Sequence, residues 1–135
     1  MSLRIYTVEV STRERTQMVD ITGEVSRIVA RSGVSEGVCR LFVPHTTAGL
    51  TINENADPTV VDDILAELNK IIPFEDGYGH SEGNSAAHIK SSLTGVSLTV
   101  FVTGGRLLLG TWQGLYFCEY DGPRRRKVLV KVIEE

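Results

Sequence analysis

The chain has 135 residues, 41% hydrophobic and 23% charged, with 14 Lys+Arg against 17 Asp+Glu and a net charge of −3. One domain spanning residues 1–135 fits that length, and the composition is that of a soluble globular protein with a real core. No overall basic balance points to nucleic acid or an acidic membrane surface, and no apolar run approaches the ~20 residues of a membrane span.

Leu3, Ile5, Val8 and Val10 form a β-type run that slips phase near its middle, alternating where a signal peptide would have an apolar core. Residues 22–33 read as a helix: Val25, Ile28, Val29 and Ser32 share one face, Thr22 can cap the start, and Gly33 suits the left-handed C′ position. Strands are predicted over residues 37–43 and 50–53, as neighbours. Pro44 ends the first by removing a ladder donor. Cys39 and Cys118 both sit in apolar strand-like runs without a CxxC spacing. That pattern is expected of buried reduced thiols in a cytoplasmic protein.

Asp57-Pro58 opens a second helix, with Asp57 as N-cap and Pro58 at the first helical position. It runs to residue 71, with Val60, Val61, Ile64, Leu65, Leu68 and Ile71 on the face expected to lie on a sheet. Residues 73–84 form a long glycine-rich loop, uncommon in a compact domain unless functional. A short helix over residues 85–93 follows, capped by Asn84 or Ser85. Strands at 96–102, 106–109, 113–120 and 127–133 are separated by Gly104-Gly105, Gly110-Thr111 and Asp121-Gly122-Pro123, which read as hairpin turns. The predicted fold is α+β: a mixed, sandwich-like sheet with two longer helices, one short helix and a C-terminal β meander.

Residues 44–63 hold His45, four threonines, Asn53, Glu54, Asn55 and several aspartates around few apolar residues. A core segment is not built this way, since a buried polar group without a partner costs about 1–3 kcal/mol. His45 leaves one strand end, and Asn53 and Glu54 leave another just before a helix N-terminus. Convergence there gives Glu54 as acid–base or metal-holding carboxylate, with His45 and Asn53 beside it. His80 and His88, with His45, are the protein's only imidazoles, and all three occupy polar segments. Zn²⁺ would suit these three histidines with one open position, and Mg²⁺ would suit carboxylates with amides. Asn84, Lys90, Gln113 and Arg124 are candidates for binding substrate or phosphate, the arginine through a bidentate fork. The enzyme reading takes a small phosphorylated or anionic substrate. The competing reading is a non-catalytic module that holds a metabolite or metal in the same pocket.

Three blocks, taken in order, resemble the YjbQ-like family, also called the secondary thiamine-phosphate synthase family. They are residues 45–57 (HTTAGLTINENAD), residues 79–90 (GHSEGNSAAHIK), and Ser97 with Gly105-Arg-Leu and Gly110-Thr-Trp-Gln113. The resemblance covers nearly the whole chain, and Phe101 stands where the family pattern has a proline. It implies a homotrimer of sandwich-like α+β subunits with a polar site built from the His45 and His80–His88 blocks. It also implies a weak thiamine phosphate synthase activity. The residues are compatible with that reaction: Lys90, Arg124 and Arg126 can take phosphate charge, and Glu54 or Asp57 can hold Mg²⁺.

Overall fold

The computed structural model describes residues 4–135, so Leu3 in the predicted first strand lies outside the described residues. Eleven elements follow in order: β1 (Ile5–Ser11), β2 (Gln17–Asp20), α1 (Thr22–Ser32), β3 (Gly37–Phe42), β4 (Ala48–Glu54), α2 (Pro58–Ile71), α3 (Ser85–Thr94), β5 (Ser97–Thr103), β6 (Arg106–Leu107), β7 (Gln113–Glu119) and β8 (Arg125–Glu134). They build two sheets, one ordered β1-β8-β3-β5-β6 and one ordered β2-β7-β4. The α+β class and the sandwich-like layering are as expected. No helix among the described residues is long and apolar enough to cross a membrane.

The core lies between the sheets. Val8 and Val10 of β1, Cys39 and Leu41 of β3, Val100 and Val102 of β5, and Val128, Val130 and Val132 of β8 face Leu50, Leu115 and Phe117 of the smaller sheet. Helix α1 adds Val25, Ile28 and Val29 to the same core and ends on Gly33 at φ 73°, as its spacing predicts. The expected phase slip in β1 is not formed: inward and outward positions alternate without a break through the strand, Val8 and Val10 point inward, and Ile5 is an apolar residue 57% exposed on the outer face.

Strand β7 is buried on both faces, which explains its unbroken apolar run. Leu115 and Phe117 face the other sheet, while Cys118 and Tyr120 pack with Ala87, Met18 and Leu68. Helices α2 and α3 therefore cover the outer face of the small sheet. Asp57 caps α2, its side chain accepting from the Thr59 N–H at 3.0 Å. The predicted apolar face of α2 is only half-buried, and Ile71 is exposed. Both cysteines are free and buried, and burial pushes each thiol up to about 12.

Four further expectations are corrected. Every strand pair is antiparallel, so the sheets are not mixed. Strands β3 and β4 are not neighbours, because the chain crosses between sheets at residues 43–47. The C-terminal strands are not a meander. Only β5 and β6 form a hairpin, through Gly104 and Gly105 at positive φ, where glycine avoids the Cβ clash. The segments at Gly110-Thr111 and residues 121–123 instead carry the chain across the sandwich, bringing the inner faces of β7 and β8 together. Thr22 does not cap α1. Its hydroxyl donates to Asp20 Oδ1 at 2.6 Å and accepts from the Leu115 N–H at 2.8 Å, tying the helix start to β7.

Candidate functional site

The crossing from β3 to β4 places His45, Thr46 and Thr47 at one end of the sandwich, and a buried ion pair holds this turn. Glu119 at the end of β7 and Arg126 at the start of β8 both point inward, from opposite sheets. Arg126 Nε donates to Glu119 Oε1 at 2.9 Å, its Nη2 pairs with Glu119 Oε2, and the same Nη2 donates to Thr47 Oγ1 at 2.8 Å. Thr12 Oγ1 and the Asp121 N–H donate to the remaining carboxylate positions at 2.8 and 3.0 Å. Every charge in the pair is thus satisfied away from water. Burial alone pushes the Glu119 carboxyl up, but the Arg126, Asp121 and Thr12 hydrogen bonds and the arginine charge outweigh it and hold it below the usual range.

Next in β8, the Lys127 N–H donates to His45 Nε2 at 3.1 Å. A backbone N–H can only donate, so Nε2 is bare and the ring's proton sits on Nδ1. Burial and the nearby Arg126 charge lower the His45 pKa, keeping the imidazole neutral at pH 7.

Helix α3 forms the facing wall. Ser91 Oγ donates to the Ala48 carbonyl at 2.6 Å, and the Leu50 N–H donates to the Gly95 carbonyl at 3.0 Å. Gly49 allows this approach, because a Cβ there would stand 2.5 Å from Thr94 Oγ1 and 2.6 Å from the Gly95 carbonyl. Between turn and helix lies a cavity of about 620 Å³ lined by His45, Thr46, His88, Ser91 and Ser92. A second, of about 410 Å³, is lined by Tyr78, Gly79, His80, Ser85, His88 and Ile89. His88 is shared by both. The His80 ring meets it edge to face, centroids 5.5 Å apart, and His80 Nε2 lies 3.7 Å from Glu82 Oε1.

The structure thus brings His45, His80 and His88 to one groove, but not as a metal set. Among the described residues no three His, Cys, Asp or Glu side chains are placed to hold a metal ion, and His45 Nε2 is already taken by a backbone amide. Within one chain the three histidines therefore do not form a zinc site of three imidazoles.

Asn53 and Glu54 lie elsewhere. His45 precedes the start of β4 and Glu54 ends it, and a seven-residue strand spans about 20 Å. The expected His45–Glu54 pair is therefore not formed within one chain. Gln113 pairs with Glu54 at that far end, and its side chain accepts from the Gly110 N–H at 2.7 Å. The Asn53 side chain accepts from the Glu54 N–H, a local turn contact.

The expected phosphate ligands are also engaged. Lys90 is buried, its Nζ donates to Asn69 Oδ1 at 2.6 Å, and burial, then Arg15, lowers its pKa. It ties α3 to α2 and lines neither cavity. Arg124 donates to the Asp121 carbonyl and carboxylate at 3.0 and 2.9 Å, and Asn84 Nδ2 donates to the same carboxylate at 2.9 Å. Sequence reasoning missed Thr46, Tyr78, Ser91 and Ser92. The serines carried a readable signal, since positions three and four after His88 share its side of a helix.

A two-sheet α+β domain with a histidine-lined groove at one end of the sandwich is the class these features define. The chain belongs to the YjbQ-like family, UPF0047, whose family model matches residues 6–135. The UPF0047 protein of Methanocaldococcus jannaschii is 50% identical over 129 residues, covering 96% of this chain and 94% of its own. YugU of Bacillus subtilis, also a UPF0047 protein, is 49% identical over 128 residues, covering 94% and 97%. An uncharacterized conserved YjbQ/UPF0047 protein of Clostridium acetobutylicum superposes with a TM-score of 0.93 at 54% identity, covering 95% of this chain and 99% of that one. A YbjQ-like protein of unknown function from Sulfolobus solfataricus gives 0.94 at 32% identity, covering 98% and 97%.

Proposed function

We propose that the His45–His88–His80 groove binds a small phosphorylated metabolite and that the chain is an enzyme forming thiamine phosphate. In that reaction the ring nitrogen of thiazole phosphate attacks the methylene carbon of aminopyrimidine-methyl diphosphate. The C–O bond breaks, and diphosphate leaves with the bonding pair. The supporting observation is that His88 stands between a hydroxyl-lined cavity and one lined by Tyr78 and Ile89. The first suits phosphate oxygens, which His45 Nδ1–H and the Thr46 hydroxyl are suited to meet. The second suits a flat ring. The reaction itself comes from the family resemblance.

A binding module without turnover is the second reading. It is favoured by the scarcity of carboxylates: among the described residues, Glu82 is the one within ion-pair range of these imidazoles. Incubation with the two precursors separates the readings. Thiamine phosphate formed above the uncatalysed background supports the enzyme. Diphosphate binding by calorimetry without turnover supports the module, and neither result removes the groove as the site.

The proposal includes a homotrimer in the cytoplasm, on the resemblance for the first and the two buried free thiols for the second. Light scattering is expected to return three times the chain mass, and a monomer mass at all working concentrations would defeat the trimer.

A further inference from the structure

The structure assigns a second binding site to the outer face of the larger sheet, where Arg40 and Lys131 together take the carboxylate of a small amphipathic acid. The site lies on the side of β3 and β8 turned away from the core, and it is independent of the thiamine phosphate reading.

The strand register places the two cations. Arg40 of β3 stands directly opposite Lys131 of β8. Both point outward, since Cys39, Leu41, Val130 and Val132 point into the core. Like charges directly opposite each other on one face of a sheet are destabilising. No carboxylate relieves this pair. Among the described residues, neither side chain has an ion pair or a hydrogen bond. Their neighbours in the same row across the sheet are Ile5 and Thr99. Glu9, Glu36 and Glu135 are the nearest acids on this face by strand alternation, four residues from that row and about 13 Å along the strands. Glu9 stands opposite Lys127. Glu36 accepts from the Thr103 hydroxyl at 2.9 Å and the Gly104 N–H at 2.7 Å.

Apolar side chains flank the cations on both sides. Phe42 and Leu129 stand opposite one another in the row on one side, and Phe101, Val38 and Ile133 form the row on the other. Phe42 is 48% exposed and Phe101 66%, the latter where the family pattern has a proline. Ile5, Arg40, Phe42, Leu129 and Lys131 line a cavity of about 210 Å³. A drug-sized ligand needs about 300–1,000 Å³, so the occupant is small. Strands β3 and β8 are interior to the sheet, and their backbone N–H groups are taken by the ladders on either side. The head group is therefore one that a guanidinium fork and an ammonium satisfy, and a planar carboxylate is such a group. The apolar rows cover its hydrocarbon part.

Hexanoate is the probe, titrated into the full chain and followed by backbone amide NMR. Saturable shifts are expected at Arg40, Phe42, Leu129 and Lys131, with the His45–His88 groove unmoved. Acetate has the head without the tail, and hexanol the tail without the head. Each should bind at least about tenfold more weakly. With folding checked by circular dichroism, Arg40→Gln should weaken hexanoate about tenfold or more. It should also abolish the rise in unfolding temperature that hexanoate gives the wild type. Lys131→Gln, on the facing strand, repeats the test.

No saturable shift at these four residues would overturn the assignment, as would follow if another protein surface covered the face. Shifts confined to the histidine groove would overturn it too. Equal binding of acetate and hexanoate would remove the apolar rows from the site, and unchanged binding by both variants would remove the cations. Either result defeats the proposal.

Discussion

Glu119→Ala is expected to lower stability by about 3–5 kcal/mol, the cost of leaving a buried charge without its partner. The carboxylate is fully buried between the sheets and takes hydrogen bonds from Arg126, Thr12 and the Asp121 backbone, so no single neighbour can compensate for its loss. Arg126→Met should cost a similar amount. Replacing both by apolar residues of like volume should cost much less, because no lone charge then remains buried. The effect has a sign in pH. The Glu119 pKa is lowered on folding, so its contribution is fully present above the usual carboxylate range and is lost as pH falls through the folded value. Urea unfolding at pH 7 and again in the acid range should show the gap between wild type and variant closing as pH drops. A gap unchanged with pH would mean that the charge of Glu119 is not what stabilises the fold. Because Arg126 also holds Thr47, the variant should disturb the His45 turn as well.

His88→Ala is expected to lower the rate of thiamine phosphate formation by about 10²–10³-fold, the usual cost of removing one donor to charge that develops in the transition state, here on the departing diphosphate. His88 is the one histidine lining both cavities, so its loss affects both halves of the groove at once. It is half-buried on α3 and its helix is anchored through Ser91 and Lys90, so folding should survive. A fall in kcat with KM nearly unchanged marks an interaction made in the transition state. A rise in KM alone would make His88 a binding residue instead. Lys90→Met is the useful contrast. It should reduce stability through the contact to Asn69 and leave the kinetics of the folded enzyme near wild type, since Lys90 lines neither cavity.

The local elements are legible in the order of residues alone. Helix α1 with Gly33 past its end, α2 with Asp57 and Pro58 at its start, and the Gly104-Gly105 hairpin each depend on residues a few positions apart, where periodicity and capping act. The same order locates the three histidines in polar segments, and the motif blocks carry the family. Which strands pair depends on contacts between residues far apart in the chain. A short turn and a crossing between sheets have similar lengths and similar turn residues, so residues 110–111 and 121–123 looked like hairpins. The inward phase of Arg126 with Val128 and Val130 takes its meaning from Glu119, which stands opposite it in the other sheet. Glu54 shows the same limit in distance. Nine positions from His45 in sequence, it stands at the other end of an extended strand, because each strand residue adds about 3.3 Å and nothing folds β4 back on itself. Side chains meet according to where the sheets place them, and that placement is set by core packing between residues far apart in the chain.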